Sequence, residues 1–461
     1  MFDQLFARRC EQCIVIHPIY TQDVTNQLAQ LDECTRQWLL LNKFKAKTGQ
    51  YCLIPATEGK LAAVYVGMKD ADDGWALGSL AKALPEGDYQ LDIQHFNNQQ
   101  CQRFFLAWGL GGYTFDRYKK SEHTLARLCL CDQVDAKKLE HMLQSFYLAR
   151  DLINTPALDL RPQRYAALVK ETVEAFGATY TITLGDELVK KFPGVHAVGQ
   201  AGEQPPCLID ITWGKEQHPK LTLVGKGVCF DSGGLDLKSA AGMLQMKKDM
   251  GGSAIALAIA RLIMAQQLPV RLRLILPLVE NAVSGNSYRP GDILTMRTGK
   301  TVEIGNTDAE GRIILADALA LASEEKPNFM IDFATLTGAA RIAMGPDIPA
   351  LFSNNDDFAA ELQSSSVMVH EVIGRLPLYQ PYREFLESPI ADLNNVSSTT
   401  YGGSITAALF LREFIDNDIP WAHFDVMAAN TRDLPGRPQG GEASALATVY
   451  DWIERKFVAT Q

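Results

Sequence analysis

The 461-residue chain has no apolar run of the roughly 18 residues a membrane helix needs, and its best candidate, Ala254 to Ala265, is short and carries Arg261. No membrane span is expected. Its first residues, MFDQLFARRCEQC, mix charge into the apolar positions and lack the uninterrupted stretch of a secretory leader, so a cytoplasmic protein is expected. Nine cysteines (10, 13, 34, 52, 101, 129, 131, 207 and 229) show no framework spacing, and the C-x-x-C of Cys10 and Cys13 has no second pair. Reduced thiols are the expectation. Positive charge is in short supply: 44 Lys and Arg stand against 54 Asp and Glu, for a net charge of −10. A partner dominated by phosphate, and nucleic acid in particular, is not expected. Internal repeats, coiled-coil heptads and low-complexity segments are absent.

Three familiar motifs almost form, and each lacks a residue its chemistry requires. HEVIG (370 to 374) has the first His and the Glu of a zinc-protease helix, but Gly374 stands where the second His belongs. FDSGG (230 to 234) is similar to the nucleophile loop of trypsin-like serine proteases, which are antiparallel β-barrels, whereas here it lies among βα units. TGKT (298 to 301) misses the first glycine of a phosphate-binding loop, because Leu294 occupies that position.

What is present is an ordinary globular composition, 47% hydrophobic and 21% charged, over a length that suggests two or three domains. Short apolar runs (CIVIH at 13 to 17, YCLIP at 51 to 55, LAAVYVGM at 61 to 68, GYTFD at 112 to 116, RLCLCD at 127 to 132) alternate with helical patterns in the first part. Helical spacing of Leu139, Met142, Leu143, Phe146 and Leu148 predicts a connecting helix that stops at Asn154-Thr155-Pro156. Beyond it the strands are purer: CLIDITW (207 to 213), KLTLVGK (220 to 226), VRLRLILPL (270 to 278) and NFMIDF (328 to 333). Such runs, separated by helices at 251 to 265 and 311 to 324, predict a sheet covered on both faces. The expected fold class is α/β: a smaller N-terminal α/β domain (1–135), a connecting helix and linker (136–160), and a larger α/β domain (161–461) with a mixed, mostly parallel sheet covered by helices on both faces.

Carboxylates and lysines gather where these strands end. LTLVG runs into Lys226, VCF leads to Asp231, and Lys238 and Asp249 follow. A second patch, Asn306 to Arg312, contains Asp308 and Glu310 and precedes an apolar helix. Any one such acid is ordinarily a helix cap or a solvated group. Four together (Asp231, Asp249, Asp308, Glu310) would repel and raise one another's pKa, whereas two divalent cations would neutralise them. Oxygen-rich ligation without His or Cys fits a paired-metal hydrolytic site at the carboxyl ends of the strands.

In these segments the chain resembles the M17 leucyl aminopeptidases. NTDAEGR (306 to 312) is that family's signature, and the likeness extends through ARDLINTPA (149 to 157), VGKGVCFDSGGLDLK (224 to 238), MKKDMGG (246 to 252), YRPGD (288 to 292), ADAL (316 to 319), FATLTGA (333 to 339) and GGSITAALFL (402 to 411). The resemblance implies a metalloaminopeptidase that releases N-terminal, preferably apolar and leucine-like residues from peptides. It implies two divalent metals per subunit, Zn²⁺ or Mn²⁺, with Asp231 and Glu310 bridging, Lys226 and Asp249 completing the tighter site, and Asp308 holding the exchangeable metal. Lys238 would polarise the scissile carbonyl, and Arg312 would hold a bicarbonate that serves as general base towards a bridging water. Met246, Thr335, Leu336, Gly338 and Met427 would bind the substrate side chain, and the assembly would be a homohexamer. Two departures stand near these residues: Ser239-Ala240-Ala241 follows the catalytic lysine where many members have proline, and GRPQGGEASAL (436 to 446) replaces the usual Gly-Ala-Thr-Gly. The alternative function is a DNA-binding architectural role on the same fold, which would need a basic groove.

Overall fold

The computed structural model describes residues 1–8, 12–56, 59–120 and 124–458. These form two units, Met1–Tyr147 with Arg432–Gln439, and Leu148–Thr431 with Gly440–Gln461.

The first unit is built on six strands: β1 (Phe6–Ala7), β2 (Ile14–Tyr20), β3 (Tyr51–Pro55), β4 (Leu61–Met68), β5 (Asp88–Leu91) and β6 (Arg127–Cys129), in the spatial order β1-β6-β5-β2-β4-β3. All pairs are parallel except β3 with β4. Helix Asn98–Gly111 starts at a reciprocal cap, in which Asn97 accepts from the Gln100 N–H at 2.9 Å and Gln100 accepts from the Asn97 N–H at 2.9 Å. It buries Phe104, Phe105 and Trp108. GYTFD is not a strand. Gly111 lies so close to the Gly78 carbonyl that a Cβ there would stand 1.8 Å from its oxygen, and Tyr113 turns instead to pack edge-on against Tyr147 with centroids 4.8 Å apart. The thiols of Cys13, Cys34, Cys52, Cys101, Cys131, Cys207 and Cys229 are free, while Cys129 departs from expectation and is disulfide-bonded. Cys10 lies outside the described residues.

Helix Ala136–Asn154 ends where the proline requires. The second unit then builds a nine-stranded mixed sheet from β7 (Thr179–Thr183), β8 (Cys207–Trp213), β9 (Lys220–Gly225), β10 (Gly227–Asp231), β11 (Arg271–Asn281), β12 (Phe329–Ala334), β13 (Ala350–Ser353), β14 (Gly374–Arg375) and β15 (Trp421–Asp425). Its order is β14-β13-β15-β12-β9-β11-β8-β7, with β10 paired to β11. The centre, β15-β12-β9-β11 with β10, is parallel, and the antiparallel pairs lie to either side. Helix Gly251–Ala265 packs on β9 and β12, and helix Glu310–Ser323 packs on β9 and β11. Both are buried along nearly their whole length, as layers over a parallel sheet must be. Gly252 makes one of these contacts possible, since a Cβ there would stand 2.1 Å from the Phe333 carbonyl oxygen. Among the described residues no helix is long and apolar enough to cross a membrane.

The near-miss motifs have structural jobs. Glu371 of HEVIG accepts from the Ala445 and Thr448 N–H groups and the Thr448 hydroxyl, all at 2.8 Å, and so caps helix Leu446–Phe457 from a distant loop. Ser232 of FDSGG donates its hydroxyl to the Asn281 carbonyl at 2.7 Å.

Candidate metal centre

Elements of the central sheet deliver each charged residue to one place. Lys226 follows β9 and its N–H donates to the Phe333 carbonyl at 2.9 Å, which fixes the backbone against β12. Asp231 ends β10, and Gly233 and Gly234 beyond it take positive φ of 88° and 66° to turn the chain back towards Lys238. Asp249 sits on the 3-10 turn Met246–Met250. Asp308 lies in the 3-10 turn Thr307–Ala309, whose N–H at Asp308 is capped by the Asn306 side chain at 2.7 Å, and Glu310 opens the next helix.

The side chains converge. Lys226 Nζ lies 2.7 Å from Asp249 Oδ2 and 2.9 Å from Glu310 Oε1, and it donates to the Thr335 carbonyl at 2.9 Å. Lys238 Nζ lies 2.8 Å from Asp231 Oδ2 and also pairs with Asp308. Asp231, Asp308 and Glu310 each offer an oxygen, and these three atoms lie within 4.8 Å of one another. All five residues expected as metal ligands are therefore brought together with Lys238. Gly311 of the NTDAEGR segment has no room for a side chain, because a Cβ would stand 2.5 Å from Lys226 Cε.

The charges strain against burial. Burial raises Glu310 well above the usual carboxylate range, with Asp231 adding to it. Burial also lifts Asp231 to about 6, helped by Asp249. Asp249 is the exception: burial opposes its charge, but Lys226 and Lys248 outweigh it and hold it low. Burial works against the Lys226 and Lys238 ammoniums, yet the carboxylates around them raise both well above the ordinary lysine value. Glu310 Oε2 is buried and has no hydrogen-bond partner among the described residues. An oxygen acceptor left orphaned in an acidic cluster, with lysine ammoniums standing between the carboxylates, fits a cation site.

Arg312 is buried, donates Nη1 to the Asn395 carbonyl at 2.7 Å, and leaves Nε without a partner among the described residues. Burial pulls its guanidinium down to about 10, which still leaves it charged at neutral pH. A buried cation with a spare donor suits a small anion.

The residues expected to bind the substrate side chain lie on the segments around this cluster. Thr335 gives its hydroxyl to Asp249 Oδ1 at 2.7 Å, so its polar end is already engaged. Leu336 packs against the core beside β12, and Gly338 is the exposed first residue of helix Gly338–Met344. Met246 is half-buried on the Asp249 turn. Met427 is half-buried too, in a loop whose Val426 N–H donates to the Ala334 carbonyl at 2.9 Å, next to Thr335.

Four positioning residues escaped the sequence reading. Asn281 donates Nδ2 to Asp231 Oδ1 at 2.9 Å and to the Thr307 carbonyl at 3.1 Å. Thr307 donates its hydroxyl to the Gly233 carbonyl at 2.6 Å and its N–H to Asp236 Oδ2 at 2.7 Å, tying the two acidic loops together. Asn395 accepts from the Gly305 N–H at 2.8 Å and donates to the Asn306 carbonyl at 2.8 Å. Asp425 accepts from the Leu336 and Thr337 N–H groups at 3.0 and 3.2 Å and from the Thr337 hydroxyl at 2.6 Å, which shapes the loop that holds Thr335. A signal existed for two of them: Asn281 and Asp425 end apolar strands, as Asp231 does.

Comparison with known proteins agrees with this geometry. The catalytic domain of the cytosol aminopeptidase family matches residues 147–450, and the N-terminal domain of M17 aminopeptidases matches residues 14–131. A crystal structure of cytosol aminopeptidase from Coxiella burnetii superposes with a TM-score of 0.94 at 49% identity, covering 99% of this chain and 100% of that one. The bottromycin maturation enzyme BotP, solved in complex with Mn, superposes with a TM-score of 0.87 at 31% identity over 96% of this chain and 99% of that one. A Sulfurihydrogenibium sp. protein named probable cytosol aminopeptidase is 35% identical over 90% of this chain and 88% of its own length.

Proposed function

The chain belongs to the M17 cytosol aminopeptidase family, a family of dinuclear-metal enzymes, and from that premise we propose that it removes preferably apolar, leucine-like residues from the N-termini of peptides. The observation that carries the reading is the cluster of Lys226, Asp231, Lys238, Asp249, Asp308 and Glu310 at the ends of β9 and β10 and in the adjoining loops, with Glu310 Oε2 unpartnered. Asp231 and Glu310 would be shared by two divalent cations, Zn²⁺ or Mn²⁺, with Lys226 and Asp249 on one and Asp308 on the other. When bound, such cations would lower the pKa of a water, polarise a peptide carbonyl and give the substrate's free amine a point of attachment.

The chain's own residues account for the rest. Lys226 can serve as a ligand only as the neutral amine, and its proton is held here by Asp249 and Glu310. Charge from a dication in their company would release it. Lys238 keeps its proton between Asp231 and Asp308, so it remains an ammonium able to hydrogen-bond the carbonyl oxygen as negative charge grows there. Arg312 would hold a bicarbonate through its Nε, which has no partner among the described residues, and such an anion would supply a general base there. Hydrolysis of leucine p-nitroanilide, and none of its N-acetyl derivative, is the expected result; equal hydrolysis of both would overturn the requirement for a free amine.

Assembly as a homohexamer belongs to the same proposal, and light scattering should give about six times the 50.9 kDa of one chain. A mass near one chain would remove it. We further place Met427 in the wall of the side-chain pocket. Its flexible thioether suits varied apolar groups. Met427→Ala should shift kcat/KM towards bulkier N-terminal residues by about 1–3 kcal/mol. Unchanged ratios among alanine, leucine and phenylalanine anilides would take Met427 out of the pocket.

A further inference from the structure

The first unit carries sulfur chemistry that the metal centre does not use. Cys129 ends β6 and is disulfide-bonded, while Cys13, the residue before β2, is a free thiol and half-buried. Their sulfurs lie 3.3 Å apart, although 116 residues separate them in sequence. A disulfide sulfur has no hydrogen to give, so in this contact the Cys13 S–H donates and the Cys129 Sγ accepts. A thiol therefore rests against one end of an existing S–S bond.

Strand pairing explains the approach. β2 and β6 flank β5 and run parallel to it, with Ile14 and Leu128 both opposite Tyr89. Cys13 precedes Ile14 and Cys129 follows Leu128, so both border the same row of the sheet. Successive side chains of a strand point to opposite faces, and the residues on either side of such a row share one. Asp88 and Arg127 border that row as well, and they engage each other, Nε to Oδ1 at 2.7 Å and Nη2 to Oδ2 at 2.9 Å. Burial raises the Cys13 thiol, with Asp88 adding to it, so Cys13 rests protonated; a thiol of raised pKa is the stronger nucleophile once its proton is lost.

We propose that Cys13 and Cys129 form a thiol-disulfide exchange site, at which the disulfide of the first unit passes between two pairings. The Cys13 thiolate attacks Cys129 Sγ and an S–S bond forms between them. The bond from Cys129 to its present partner breaks, and the partner leaves as a thiolate that takes up the proton Cys13 gave away. One disulfide and one thiol stand on each side of the reaction, so no oxidant or reductant is consumed. In the new pairing the bond joins the start of β2 to the end of β6 across β5. In a reducing compartment a disulfide is ordinarily transient and serves redox chemistry, a use to which an adjacent thiol is suited.

The test holds the full-length protein at pH 8 without reductant, quenches it in acid, blocks the free thiols and maps the unreduced peptides by mass spectrometry. Two linked forms of Cys129 are expected, one through Cys13 and one through the present partner. Cys13→Ser should lose the first and keep the second, with leucine p-nitroanilide hydrolysis unchanged as the check on folding, since Cys13 belongs to no part of the metal centre. Should the variant fail to fold, the wild-type map decides alone. Cys13 blocked in every wild-type molecule, with Cys129 linked to one partner only, would overturn the proposal, and so would Cys129 recovered as a free thiol.

Discussion

Lys238→Ala should lower kcat by a factor on the order of 10² or more, in line with the loss of a donor to a developing oxyanion, and should leave the metal content intact. Asp308→Ala should instead lower the occupancy of one metal, and activity with it. The distinction follows from position. Lys238 pairs with both Asp231 and Asp308 and keeps a side chain 16% exposed, whereas the Asp308 oxygen lies within 4.8 Å of oxygens from Asp231 and Glu310. A lysine that keeps its proton and some exposure beside the carboxylates can meet a substrate, and a carboxylate that faces two others is placed to share a cation. Metal analysis of the two purified variants beside their kinetics checks the pair. Equal depletion of metal in both would show that the roles have been assigned wrongly.

The second large effect concerns Lys226. Its ammonium is buried between Asp249 and Glu310, with Asp231 acting on it as well. Lys226→Met would leave those carboxylates buried without that counter-charge. Breaking a buried ion pair from one side costs about 3–5 kcal/mol, so in chelator the variant should melt far below the wild type. Divalent metal should recover part of the difference, because dications supply the charge that was removed. The pH dependence has a definite sign. Asp231 already titrates at about 6 and Glu310 above the carboxylate range, both raised, so their protonated forms are favoured in the folded chain and the penalty of the unpaired charges grows as pH rises through those values. The gap between variant and wild type should narrow towards pH 5 and widen towards pH 8. Identical melting in chelator across that range would mean that Lys226 does not hold the cluster together.

Much of this arrangement was legible in the sequence, for physical reasons that can be named. Strands β9 and β12 are buried on both faces and read as nearly continuous apolar runs, so their ends, and with them Lys226 and the Thr335 loop, could be placed. Helix Ala136–Asn154 was legible from its 3.6-residue period and the following proline. GYTFD was misread because its aromatics satisfy the strand pattern, while the deciding contact, Gly111 on the Gly78 carbonyl, joins residues distant in sequence. The same limit hid the supporting residues of the site. Asn281, Asn395 and Asp425 lie 50, 83 and 88 residues from partners they hold, and beyond the strand-end positions of Asn281 and Asp425 nothing local marks them out. The ligand carboxylates were easier, because mutual repulsion makes such a cluster implausible without a cation. Lys248 went unremarked for the opposite reason: on a turn rich in lysine it passes for a solvated charge, and only its burial sets it apart.

The central claim is that this acidic cluster works by holding two divalent cations. It is tested most directly by stripping the chain with chelator, titrating Mn²⁺ back, and following leucine p-nitroanilide hydrolysis against bound metal per chain. The account predicts no hydrolysis by the stripped protein and activity that rises to a plateau at two metal ions per chain. Full activity in the stripped protein, or a plateau reached at one ion per chain, would contradict it.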